Sequence, residues 1–173
     1  MDHILTGTHE NEIFSNLKLH NEDLTSSDFT DCVFDHCEIV LAKFTDCGLR
    51  NVTFKDCKLV GIDFTKCKTN FFEVSFKDSL VDTCNFSALK LKRIPFLHCT
   101  LRETRFVGTT LTEADFEDSD LEGALFHQCN LEKANFKNAK NYSIDPTTNT
   151  LKGATFSLPE AISLLLKLNI NIN

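Results

Sequence analysis

LKRIPFLHCTLRETRFVGTTLTEADFEDSDLEGALFHQCNLEKANF, residues 91–136, carries a large apolar side chain at every fifth position: Leu91, Phe96, Leu101, Phe106, Leu111, Phe116, Leu121, Phe126, Leu131 and Phe136. The same phase reaches back through Phe86, Val81 and Phe76 to Phe71, fourteen hits in a row in a chain that is 42% hydrophobic. Chance would produce such a run roughly once in 200,000 trials, so the period is a property of the chain. Five matches neither the 3.6 of a helix nor the 2 of a flat strand, and the chain must therefore turn at regular intervals. A second inner position lies two residues earlier and takes small side chains: Ala114, Ser119, Ala124, Cys129, Ala134.

Small at i−2, Leu or Phe at i, and polar elsewhere resembles the pentapeptide-repeat family. The resemblance implies an all-β fold, a right-handed, four-sided parallel β-helix with one pentapeptide on each side. Four sides stack positions twenty apart on one face, about 4.8 Å from coil to coil, as in neighbouring strands. The period begins at Phe14 and runs unbroken to Phe64, fails at Thr69 and resumes two residues late at Phe71. If Phe71 takes the side left vacant by Thr69, one face reads Phe14, Phe34, Phe54, Phe76, Phe96, Phe116, Phe136 and the next Leu19, Ile39, Leu59, Val81, Leu101, Leu121. The third then reads Leu24, Phe44, Phe64, Phe86, Phe106, Phe126, and the fourth Phe29, Leu49, Phe71, Leu91, Leu111, Leu131. Phe34, Phe54, Phe76, Phe96, Phe116 and Phe136 are the expected structural core, each worth roughly 1.5–3 kcal/mol when buried. Only Phe72 of the sixteen Phe is left off the ladders.

One domain is expected over residues 1–173: a cap at 1–13, main coils at 14–136 with a two-residue bulge near 65–72, a loop and partial coil at 137–156, and a helix and tail at 157–173. In the last of these, Ser157 with Glu160 three residues on reads as a capping box. Leu158, Ala161, Ile162, Leu164, Leu165, Leu166 and Leu168 spread over roughly 200° of a helix spanning 158–168, whereas one buried face needs little more than 100°. One half can close the open coil end; the other wants a partner. Leu158, Ile162, Leu164, Leu165, Leu168 and Ile170 are the expected dimerisation residues, and Ile170 and Ile172 alternate as in a short pairing strand.

All eight cysteines (32, 37, 47, 57, 67, 84, 99, 129) fall in the small slot, where a free thiol acts as a small hydrophobe. No C-x-x-C occurs and the ligands would lie on different sides and coils, so neither a metal site nor a disulfide framework is expected. No nucleotide, hydrolase or zinc-protease motif is found, and no cofactor or catalytic residue is expected. The histidines offer little more: His36 and His98 share a corner column with Asp56 and Asp78, read as ordinary solvated surface.

A net charge of −7 disfavours direct binding to nucleic acid or an anionic membrane. No signal peptide or membrane span is apparent, so a soluble cytoplasmic protein is expected. The charge is unevenly placed. Residues 8–49 have a net −7 and residues 86–106 a net +4, through Lys90, Lys92, Arg93, Arg102 and Arg105 against one acid. Residues 107–131 hold six acids and no base. Asp28, Asp31, Asp35, Glu38, Glu113, Asp115, Glu117, Asp118, Asp120 and Glu122 are the candidate partner-binding acids, since carboxylates along a rod of duplex-like width can imitate phosphates.

The run NYSIDPTTNTLKGATFSLPEAISLLLKLNI, residues 141–170, resembles the C-terminal module of the Qnr, MfpA and microcin-B17-immunity (McbG) pentapeptide-repeat proteins. That resemblance implies a two-fold homodimer and a non-enzymatic, DNA-mimicking ligand of DNA gyrase and topoisomerase IV that protects against quinolones or a gyrase-directed toxin. The alternative is a general protein-interaction scaffold with an unrelated partner, its acidity incidental to the repeat.

Overall fold

A computed structural model of the chain describes residues 5–168, which form a parallel β-solenoid of about seven turns closed by one short helix. Short strands stack with a spacing of twenty: Ile13–Ser15 on Val33–Asp35, Lys18–His20 on Glu38–Val40, and Asp28–Thr30 on Gly48–Arg50 of the longer strand Gly48–Lys55. Further along, Arg105–Val107 lies on Leu125–His127 and Asn135–Phe136 on Thr155–Phe156. Each of these pairs puts one ladder residue beside the next, so away from the bulge the five-residue spacing sets the register directly.

At most corners the chain turns because the residue two after the centre adopts a left-handed conformation; Lys66, in the 3₁₀ turn Phe64–Lys66, and the bulge that follows are exceptions. Non-glycine corners have φ between 49° and 63°, and glycines 61, 108, 123 and 153 fill the same role. Asn and Asp make up nearly half of the non-glycine corners, from Asn11, Asn16 and Asn21 to Asp118 and Asn138, because their short polar side chains tolerate this region better than others do.

Two stacks of Phe rings fill the interior. On the Phe14 face, successive centroids lie 4.9 Å (Phe76–Phe96), 5.3 Å (Phe96–Phe116) and 4.9 Å (Phe116–Phe136) apart, with ring planes within 8°. The Leu24 face carries the second stack, with Phe64–Phe86 at 4.7 Å and Phe106–Phe126 at 5.0 Å. Between the stacks the rings meet edge to face, as in Phe86–Phe96 at 5.5 Å and 82°, so both favourable aromatic geometries are used at once. Phe34, Phe54, Phe76, Phe96, Phe116 and Phe136 are all fully buried.

The small slot does more than save space. Where the slot residue is Cys, Ser or Thr, its side chain can donate to the carbonyl of a ladder centre in the preceding coil: Cys47 Sγ to Leu24 O (2.7 Å), Ser119 Oγ to Phe96 O (2.7 Å), Cys129 Sγ to Phe106 O (2.7 Å). All eight cysteines are buried and free. Burial pushes the Cys47 thiol up to about 11 and those of Cys84 and Cys99 to about 12, which keeps them protonated donors near neutrality.

Four details depart from the sequence reading. Thr8–Glu10 already pairs with Asp28–Thr30, and His9 stacks on Phe29 at 5.0 Å, so the coil starts ahead of Phe14. At the bulge, Phe72 and not Phe71 sits beside Leu49; the offset drops by one before Val52 meets Val74. Phe72 packs edge-on against Phe64, while Phe71, at the end of the 3₁₀ turn Thr69–Phe71, points outward. The extra chain length is absorbed by that turn, which frees the second Phe rather than the first to fold inward. In the loop after Phe136, Tyr142 and Ile144 are buried, and Asn149 takes the small slot, accepting from Cys129 N at 2.9 Å and donating to Phe126 O at 3.1 Å.

The fourth correction is the helix. It covers only Ile162–Leu166, with Ala161 at the N-cap position and no side-chain cap hydrogen bond. Ser157 Oγ accepts instead from Asn138 N in the coil beneath, at 3.0 Å. The end of the solenoid therefore recruits the intended capping hydroxyl for its own unpaired amide. Ile170 and Ile172, in the expected pairing strand, lie outside the described residues.

Candidate protein-interaction surface

The solenoid sorts the ten candidate acids by column. Asp35, Asp115 and Glu117 flank centres on the Phe14 face, and Glu38, Asp120 and Glu122 flank centres on the Leu19 face. Asp118 turns the corner between these two faces. Asp28 is on the Phe29 face, and Asp31 and Glu113 turn the corner from that face to the Phe14 face. One edge of the rod thus gathers most of the acids, but not in one continuous stripe.

Five of the ten meet a base twenty residues away, and a sixth, Asp28, a base forty away. Lys58 Nζ lies 2.8 Å from Glu38, Lys137 Nζ 2.6 Å from Glu117, Arg93 Nε 2.6 Å from Glu113, and Arg102 Nε 3.9 Å from Glu122. Asp35 has Lys55 at 3.5 Å and Asp28 has Lys68 at 2.7 Å. Hydrogen bonding from Lys58 holds the Glu38 carboxyl below its ordinary range, and Arg93 does the same for Glu113. The basic belt at Lys92, Arg93 and Arg102 is therefore the counter-charge of the next coil's acids. A period of twenty could have marked these residues as neighbours in adjacent coils; which of them close to ion-pair distance is set by the folded side chains.

Three acids of residues 113–122 have no Lys or Arg within ion-pair distance among the described residues. Asp115 accepts from Asn135 Nδ2 at 2.8 Å, and Asp120 from Asn141 Nδ2 at 2.8 Å. Asp118 has only His98, whose Nε2 lies 3.7 Å away, while His98 Nδ1 is 3.1 Å from Asp78. The two Asn partners are neutral amides and bring no counter-charge to Asp115 and Asp120. Higher on the same corner, Asp35, His36 and Asp56 place their ligand atoms within 4.8 Å of one another, and the Lys55 ammonium stands 3.5 Å from both carboxylates as their cation.

At the C-terminal end Leu158 is 79% exposed and Ile162, Leu165, Leu166 and Leu168 between 40% and 62%. Leu164 turns inward and packs on the core, so it does not belong to the outward set. No helix among the described residues is long and apolar enough to cross a membrane.

A parallel solenoid with one apolar centre in every five residues, a mostly small inward slot two residues before it and a left-handed corner two residues after it defines a pentapeptide-repeat protein. A sequence model of the family described as "Pentapeptide repeat region" matches residues 10–86 and 69–156, and the chain belongs to that family. Among solved structures, trypsin-treated QnrB1, a plasmid-mediated fluoroquinolone resistance protein, is similar over 98% of this chain and 97% of its own, with a TM-score of 0.63 and 19% identity. HetL, involved in heterocyst differentiation regulation in the cyanobacterium Nostoc sp. strain PCC 7120, is similar over 85% of this chain and 73% of its own, with a TM-score of 0.62 and 19% identity. At such identities the likeness is one of fold. Curated protein sequences returned no match.

Proposed function

We propose that this chain is a non-enzymatic binding protein whose acidic edge is gripped by a basic, DNA-binding groove of a protein partner. The partner is a type II topoisomerase, DNA gyrase or topoisomerase IV, which the chain relieves of quinolone or toxin poisoning. The observation that carries this reading is the ledge of Asp115, Asp118 and Asp120, three carboxylates without Lys or Arg partners among the described residues, on adjoining sides of the solenoid. A groove built to hold phosphates recognises fixed anions of this kind largely through charge. The C-terminal resemblance to Qnr-type proteins and the fold shared with QnrB1 support the choice of partner. A homodimer joined at the C-terminal leucines would set two such rods end to end.

Changing Asp115, Asp118 and Asp120 to Asn keeps shape and hydrogen bonding and removes three charges. In a gyrase supercoiling assay with ciprofloxacin, the wild type is expected to protect, less so as salt rises, and the triple variant to lose protection while melting normally. Equal protection by the two proteins, or none by the wild type, refutes the reading. The ion pairing of Asp28, Asp35, Glu38, Glu113, Glu117 and Glu122 favours the second reading, a scaffold whose acids serve its own coils. A wild type without any effect on gyrase would leave that scaffold standing.

A further inference from the structure

We propose that the Phe71 turn on the Phe29 face is a docking site for an acidic segment of a partner protein, distinct from the acidic edge. It is where the solenoid breaks its own regularity. Thr69–Phe71 leaves the ladder as a 3₁₀ turn, and Phe71 is 47% exposed, unlike the stacked rings of the core. The Arg50 guanidinium lies 4.4 Å from the Phe71 ring centroid. A stacked guanidinium is held in place by the ring while its N–H edges remain free for a carboxylate, and Arg50 has no acidic partner among the described residues.

Beside this pair opens a cleft of about 240 Å³ lined by Asp28, Thr30, Gly48, Arg50, Lys68 and Phe71. Gly48 makes its floor: a Cβ there would collide with the Asp28 carboxylate. That carboxylate also takes the Lys68 ammonium at 2.7 Å, which fixes the cleft wall. On the other flank of the turn, Lys90 borders a second hollow of about 230 Å³ with Thr69, Asn70 and Phe72. An exposed aromatic ring thus stands against the Arg50 guanidinium beside a cleft of about 240 Å³, with Lys90 bordering the hollow on the other flank of the turn.

The complementary ligand carries carboxylates on both sides of an apolar residue. The apolar side chain enters the cleft against Phe71, one carboxylate takes the Arg50 fork, and the other reaches Lys90. Nucleic acid fits less well. Asp28 and Glu73 lie in the same surface, the chain is net −7, and one ring makes no platform for successive bases.

The test is selection of a displayed random dodecapeptide library on the immobilised full chain, with counter-selection on the Arg50→Ala/Phe71→Ala variant. Enriched peptides, synthesised with a fluorophore, are expected to carry at least two carboxylates around an apolar residue. Their affinity should fall at least tenfold on either single substitution or on Lys90→Glu, and several-fold between about 50 and 300 mM salt. The same peptides should bind the Asp115/Asp118/Asp120→Asn variant unchanged, which separates this site from the acidic edge. Arg50 and Lys90 are exposed and their variants should keep the wild-type melting temperature. Recovery of no consensus or of a basic one, equal binding to wild type and variants, or displacement by a dT10 oligonucleotide would overturn the proposal.

Discussion

At Gly108 the chain turns a corner with φ at +65°, and nothing stands within 4 Å of where a Cβ would project. The position therefore isolates backbone strain from packing. Gly108→Val is expected to lower stability by about 1–3 kcal/mol in urea denaturation, because a β-branched residue resists the left-handed region. Gly108→Asn should lose much less, as Asn occupies many other corners. A Val variant with an unshifted midpoint would mean that the corners are not strained. Corner chemistry was present in the sequence as Asn, Asp and Gly two residues after the centres. It was hidden by Leu41, Arg93 and Lys133, which take the same conformation without the usual side chain. At those positions the coil-to-coil hydrogen bonds, such as Leu41 N to Val60 O at 2.9 Å, hold the corner.

Among elements, the Phe stacks are the continuous feature, and their residues follow from counting in fives and stacking in twenties. Phe96 touches Phe76 and Phe116 face to face and Phe86 and Phe106 edge-on. Its truncation to Ala leaves a void that neighbouring coils cannot close without breaking register, and should cost about 3–5 kcal/mol. A Phe96→Ala protein with the wild-type urea midpoint would contradict the stack. Where counting failed, local chemistry competed with it. At Phe71 and Phe72 two equivalent rings compete for one inner slot, and the geometry of the 3₁₀ turn chooses between them. At Ser157 a capping signal met an unpaired amide of the last coil, and the coil took the hydroxyl.

For the whole molecule, the open end matters most. The outward Leu158, Ile162, Leu165, Leu166 and Leu168 form an apolar surface at one end of the solenoid, and the proposed homodimer would cover it. Light scattering is expected to give a dimeric mass for the wild type at micromolar concentration and a monomeric one for Leu165→Glu/Leu168→Glu. Both residues are exposed, so the substitutions should leave the coils folded. A monomeric wild type would remove the dimer from the proposal, while the acidic ledge would remain testable by itself.

The sequence by itself determined the coil, its four ladders, its small slots and the buried state of its cysteines, because each depends on a local period repeated many times. The candidate acids were also readable, but their meaning was not. Only the stacking of coils decided that Glu38, Glu113 and Glu117 are neutralised by Lys58, Arg93 and Lys137 while Asp115, Asp118 and Asp120 meet no such base. Tertiary structure likewise decided which Phe faces solvent beside Arg50 and which leucine of the C-terminal turn packs inward. These outcomes turn on distances of a few ångströms between residues about twenty apart, where charge and packing act and a linear period carries no information.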